Sequence, residues 1–160
     1  MRRRHISLIA LLATLFASVL SLAHAGDART QTETRVIKTN KSFADLRNAL
    51  EAAVAANKMG LVTQASASAG AARRGIDIPG NMVVGVYRND FAVRMLEASV
   101  PAGIEAPLRY YLTENSDGTA SLTYRPPSAV FKPYGSAELD TLAQELDAIF
   151  AKIAADATVQ

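Results

Sequence analysis

The sequence predicts an α+β domain in which helices pack on one face of a mainly antiparallel sheet, in the order β-α-β-β-α-β-β-α. Three observations carry this prediction. Leu108–Glu114 and Thr119–Arg125 both alternate and are rich in aromatic or β-branched residues. Asn115-Ser116-Asp117-Gly118 joins them, and Asp-Gly between two such runs signals a hairpin, which requires antiparallel pairing. Two long segments, one from Phe43 and one from Ser136, each carry a single apolar stripe at helical spacing, so each needs one surface to cover. Asn81–Tyr87 is an apolar run too short for a core helix. One layer of helices against one sheet face satisfies all three.

The chain opens with Arg2, Arg3 and Arg4, then an apolar stretch from Ile6 to Leu22, then Ala23-His24-Ala25. A basic segment, an apolar segment and a small-x-small site in that order form the pattern of a secretory leader, with cleavage expected after Ala25. The rival reading is an uncleaved anchor. Seventeen residues lie at the bottom of the spanning range, and Ser7, Thr14, Ser18 and Ser21 dilute them. No cysteine follows the apolar segment, which excludes a lipid-anchored lipoprotein. The expectation is therefore a periplasmic or secreted single domain over residues 26–160.

Gly26–Gln31 is polar and reads as a frayed start. Thr32–Lys38 is the first strand, from its β-branched content. Ser42 then offers an N-cap, with Asp45 in the first turn where the helix dipole favours a carboxylate. Phe43, Leu46, Leu50, Ala53 and Val54 make the stripe of a helix running to about Lys58 and stopped by Gly60. Leu61–Ser66 is the second strand. Residues 65–80 are small and Gly-rich with Arg73-Arg74 in the middle, which predicts an extended loop or mobile flap.

Asn81–Tyr87 is the third strand. Asn89-Asp90 opens a short helix through Phe91, Met95 and Leu96, which Pro101 and Gly103 end. The hairpin strands follow, with Tyr110, Leu112, Leu122 and Tyr124 sharing the parity of one face. Pro126-Pro127 stops the second of them. Ser136 begins the last helix, whose stripe is Leu139, Leu142, Leu146, Ile149, Phe150 and Ile153, while Glu138, Asp140, Glu145 and Asp147 stay on the wet side. This arrangement leaves one sheet face bare: tolerably polar, covered by residues 65–80, or buried against a second copy.

Composition narrows the chemistry. Both histidines, His5 and His24, lie in the leader, and the chain has no cysteine and no tryptophan. The mature domain is thus expected to lack imidazole and thiol, which excludes a His-ligated haem, zinc hydrolysis and a Ser-His-Asp triad. No cofactor and no metal are expected. Three of the 17 basic residues leave with the leader, so 14 remain against 15 acidic ones, a charge near −1. Such a domain has no general attraction for nucleic acid or anionic lipid. Neither nucleic acid nor, after cleavage, a membrane is an expected partner.

Four groups of side chains are candidates for chemistry. Gly70 to Gly75 has glycines but lacks the lysine and hydroxyl ending of a P-loop; its backbone donors with Arg73 and Arg74 could hold an anion, against the plainer reading of a solvated loop. Ser128 and Lys132 are the nearest serine–lysine spacing, but both fall in a Pro-bounded surface loop with nothing to desolvate the lysine. Asp90, Glu97, Glu105, Glu114 and Asp117 are scattered over helix ends and turns, where capping and solvation explain them. On the strands, Arg109, Tyr111 and Arg125 take the parity opposite to Tyr110 and Tyr124 and so share the outer face. That face could bind a small anionic or aromatic ligand, or a second subunit, against the plainer reading of a half-wet sheet face.

With the elements in order, the chain resembles the domain-of-unknown-function 302 family over about Thr34 to Ala155. The likeness is carried by Ser42-Phe43-Ala44-Asp45-Leu46-Arg47, Gly60-Leu61-Val62 and Val83 to Tyr87. It continues in Glu105-Ala106-Pro107-Leu108, Asp117-Gly118 and Leu122-Thr123-Tyr124-Arg125-Pro126-Pro127. The chain departs from the family pattern at Tyr87-Arg88-Asn89-Asp90 and at Glu105-Ala106-Pro107, as a divergent, exported member. The resemblance implies a TBP-like sheet-and-helix architecture, often dimeric, with no catalytic residues to carry over.

Two functions are consistent with these readings. The first is an exported, non-enzymatic ligand-binding or protein-interaction module, with a homodimer through the open sheet face among its expected partners. The alternative is an accessory enzyme using Arg, Tyr and carboxylates around residues 65–80, which requires a pocket lined by Arg73, Arg74 or Arg109 with a buried carboxylate.

Overall fold

The structure, a computed structural model, describes residues 34–159; the leader, its cleavage site and the start of the first strand lie outside the described residues. Five strands are present: β1 (Arg35–Lys38), β2 (Gly60–Ala65), β3 (Asn81–Tyr87), β4 (Leu108–Glu114) and β5 (Ala120–Tyr124). They form one sheet in the order β1-β5-β4-β3-β2, with every neighbouring pair antiparallel. The helices are α1 (Phe43–Ala56), α2 (Ala67–Ala72), α3 (Asn89–Ala98), α4 (Pro127–Phe131) and α5 (Ala137–Thr158). The architecture is α+β.

Local chemistry sets the two long helices. Ser42 Oγ accepts from the Asp45 backbone N–H at the start of α1, and Ser136 Oγ does the same for Leu139 at the start of α5. The stripes read from the sequence point inward: Leu46, Leu50, Ala53 and Val54 on α1, and Leu139, Leu142, Leu146, Phe150 and Ile153 on α5, are all buried. Ile149 is half-buried. Each fully buried Leu or Phe contributes about 1.5–3 kcal/mol over an exposed one.

The sheet supplies the other half of the core. Val84, Val86, Tyr110, Leu112 and Leu122 are buried on one face, as their parity requires. Tyr110 stacks on Phe150 with ring centroids 4.9 Å apart, and its hydroxyl donates to the Phe150 carbonyl at 2.8 Å. That bond satisfies the one polar atom which a tyrosine brings into the core. The β4–β5 hairpin closes through Asn115 N–H to the Thr119 carbonyl and Gly118 N–H to the Asn115 carbonyl. Gly118 lies at φ +80°, the left-handed position that favours glycine in such turns.

Two expectations need correction. Residues 65–80 are not an extended loop throughout, because Ala67–Ala72 fold as α2. Ser66 Oγ caps it through the Ala69 N–H, and Asn81 Oδ1 accepts from the Ala67 N–H. Its Ala, Gly and Ser residues bury nothing, so no apolar period marks it in the sequence. The segment then returns to the sheet, where Gly80 N–H donates to Glu114 Oε2. The second correction concerns Ser128–Lys132. Pro127 opens α4 at the first helical position, where its missing N–H costs nothing. Asp147 Oδ1 accepts from the Ser128 N–H, and Val130 and Phe131 are buried. A 3-10 turn at Val100–Glu105, after α3, and another at Lys132–Tyr134 complete the chain between these elements. Among the described residues, no helix is long and apolar enough to cross a membrane.

Candidate functional site

Opposite the helices the sheet presents a second face whose register follows from the pairing. Val36 faces Thr123, Thr123 faces Tyr111, Tyr111 faces Val83 and Val83 faces Ala65. The neighbouring row sets Arg109 against Gly85 and Gly85 against Thr63. Arg125 follows one residue past the end of β5. Arg109, Tyr111 and Arg125 line a groove of about 270 Å³ that is not confined to this face, since Leu108, Tyr110 and Tyr124 of the opposite parity and Val130 of α4 line it as well.

Gly85, opposite Arg109, leaves room for Pro107 and Thr63 by having no side chain. A Cβ there would stand 2.8 Å from Pro107 Cγ and would collide with Thr63 Oγ1. Pro107 therefore lies against bare backbone next to Arg109. The 3-10 turn that precedes it carries Glu105 to the groove. Glu105 Oε1 accepts from the Tyr134 hydroxyl at 2.9 Å. Loss of water contact, and then this bond to a carboxylate, raise the Tyr134 hydroxyl above the ordinary phenol value.

Glu105 and Arg109 do not pair across the groove. Among the described residues, Arg109 makes no hydrogen bond or ion pair, and it does not reach Glu105. Elsewhere, Arg88 grips Asp90 at 2.7 Å and stacks over Phe91, and Arg94 forms a two-point contact with Glu145. Tyr111 is 41% exposed, a large share for a tyrosine on a strand, and offers an open ring.

Of the five residues singled out from the sequence, three share the groove. Arg73 and Arg74 lie apart from it, exposed after α2, with neither lining the groove. The pocket that the accessory-enzyme reading requires around residues 65–80 also needs a buried carboxylate. Among the described residues the buried polar side chains are Thr39 and Ser121, so no carboxylate fills that role. Ser128 and Lys132 share no hydrogen bond; Ser128 contributes its backbone to Asp147, and Lys132 is exposed. Among the described residues no group of three or more Asp and Glu could hold a metal ion.

Glu105, Val130 and the core-parity residues Leu108, Tyr110 and Tyr124 line the groove without being marked for it by the sequence. Glu105 reads as an ordinary charge beside a Pro-Gly break, and Val130 belongs to a helix with no signal of its own. Thr123 was within reach, since it has the parity of Arg125 and the register opposite Tyr111.

Comparison with known proteins gives three findings. Residues 35–157 match the family model described as Domain of unknown function DUF302. The fold is similar to the crystal structure of an uncharacterized conserved protein DUF302 from Bacillus stearothermophilus, with a TM-score of 0.70 at 15% identity, over 78% of this chain and 97% of that one. No curated protein matches the chain.

Proposed function

This chain belongs to the DUF302 family, and from that premise we propose that it is an exported, non-enzymatic binding module that holds a small anionic ligand in the groove along β4 and β5. The observation that carries the reading is the groove formed by Arg109, Tyr111 and Arg125, in which Arg109 has no partner among the described residues. A guanidinium at a strand position is held by the sheet rather than by a loop. Its fork of donors suits a carboxylate or phosphate, and the Tyr111 ring beside it suits an aromatic or apolar portion of the same ligand. Export is supported by the basic, apolar and small-residue order of the leader.

Native mass spectrometry of the protein purified from its own host tests this reading. The expected species is a chain beginning at Gly26 with a small acidic adduct, and Arg109→Ala is expected to lose the adduct. A bare chain in the wild type, with no response of thermal stability to any added carboxylate or phosphate, would count decisively against it.

A second reading, a homodimer through the open sheet face, draws on the exposure of Val36 and Tyr111, two apolar bodies on one row. Sedimentation velocity separates the two readings. A dimer that Tyr111→Lys converts to monomer supports the interface, and a monomer at all concentrations removes it.

A further inference from the structure

Among the charges of the groove, one carboxylate and one guanidinium do not meet. Glu105 and Arg109 both line it, yet they form no ion pair. Tyr134 engages only one oxygen of Glu105, which leaves the other able to accept. A guanidinium and a carboxylate that line one groove without pairing can each take a counter-charge, and a molecule with both charges answers both at once. Simpler ligands answer only one of the two: a phosphate or plain carboxylate leaves Glu105 without a counter-charge, and a plain amine leaves Arg109 without one. The outer row adds an apolar platform, with Tyr111 between Val83 and Thr123.

From these groups we infer that the groove recognises a free amino acid in its zwitterionic form, with an apolar or aromatic side chain. Its carboxylate lies on Arg109, its ammonium on Glu105, and its side chain against Tyr111. The groove volume of about 270 Å³ suits one amino acid better than a nucleotide, being just below the range of about 300–1,000 Å³ typical of pockets for drug-sized ligands. The inference rests on the proposed reading of the groove as a ligand site.

Isothermal titration of the protein, recovered after export of the full-length chain, tests it with L-phenylalanine and L-leucine. Each has a matching pair of single-charge analogues: 3-phenylpropionate and 2-phenylethylamine, 4-methylpentanoate and isoamylamine. At least one amino acid is expected to bind, with each of its analogues about tenfold weaker or worse, since each lacks one charge-assisted contact. Glu105→Gln, which can still accept from Tyr134, is expected to weaken that amino acid about tenfold and to leave its carboxylate analogue unchanged. Arg109→Gln is expected to weaken both. Arg73→Gln with Arg74→Gln is expected to change nothing, and unchanged thermal melts show that each variant is folded. If a carboxylate analogue binds as tightly as its amino acid, and Glu105→Gln is silent, the zwitterion is overturned while the anion site stands. If neither amino acid nor any analogue binds, the inference and the ligand-site reading fall together.

Discussion

Tyr110 and Gly85 hold the two sides of the sheet to their purposes, and each yields a measurable consequence. Tyr110 is fully buried, and burial pushes its hydroxyl far above the ordinary phenol value, so it stays a donor to Phe150. Tyr110→Phe keeps the stacking and removes only that donor, and is expected to cost about 1 kcal/mol by urea unfolding. Phe150 retains its place in the helix, so a loss of several kcal/mol would mean that the hydroxyl does more than satisfy itself. Gly85→Ala acts on the other face. Its Cβ must displace Pro107 and Thr63, and the expected destabilisation by urea unfolding is about 1–3 kcal/mol. At this scale much was legible in the sequence. Parity alone separates Tyr110 from Arg109 and Tyr111, because successive strand residues face opposite ways. The need for a glycine at position 85 was not legible, since it arises from a proline 22 positions later in the chain.

Helix α3 is tied to α5 by the contact between Arg94 and Glu145. Hydrogen bonding to Arg94 holds the Glu145 carboxyl below its ordinary value of 4.5. A carboxyl whose folded value is depressed contributes stability above its unfolded value, and that contribution is lost as pH falls through the folded one. The melting temperature is therefore expected to drop as pH is lowered below 4.5, and Glu145→Gln is expected to make that limb shallower. Parallel acid limbs for the two proteins, in thermal melts followed by circular dichroism, would show the tie to be inert. The carboxyls of Asp90 and Asp156 are lowered too, by Arg88 and by Asn57 with Lys152, so the limb flattens without disappearing. The long helices were readable because each carries both a cap and a stripe. Helices α2 and α4 were not. Each spans fewer than two turns, too short to be stable alone, and each is held by a distant side chain: Asn81 for α2, Asp147 for α4.

For the whole molecule, the leader gives the most direct expectation: intact-mass measurement of the cell-derived protein should find a chain of 135 residues starting at Gly26, the 160 of the precursor less 25. A chain retaining Arg2 to Arg4 would cancel both the compartment and the charge near −1. The five strands and three longer helices in their order, the hairpin, the buried stripe of each long helix and the outward side of Arg109, Tyr111 and Arg125 were all determined by the sequence alone. Those features depend on periods of two and 3.6 residues and on turn chemistry, which act over short stretches of chain. Tertiary structure alone decided that Glu105 joins Arg109 in one groove, that Arg73 and Arg74 stand apart from it, and that two weak segments become helices. Each of these depends on contacts between residues far apart in the chain, such as Pro107 against Gly85 or Ser128 against Asp147, and no local pattern encodes such a meeting.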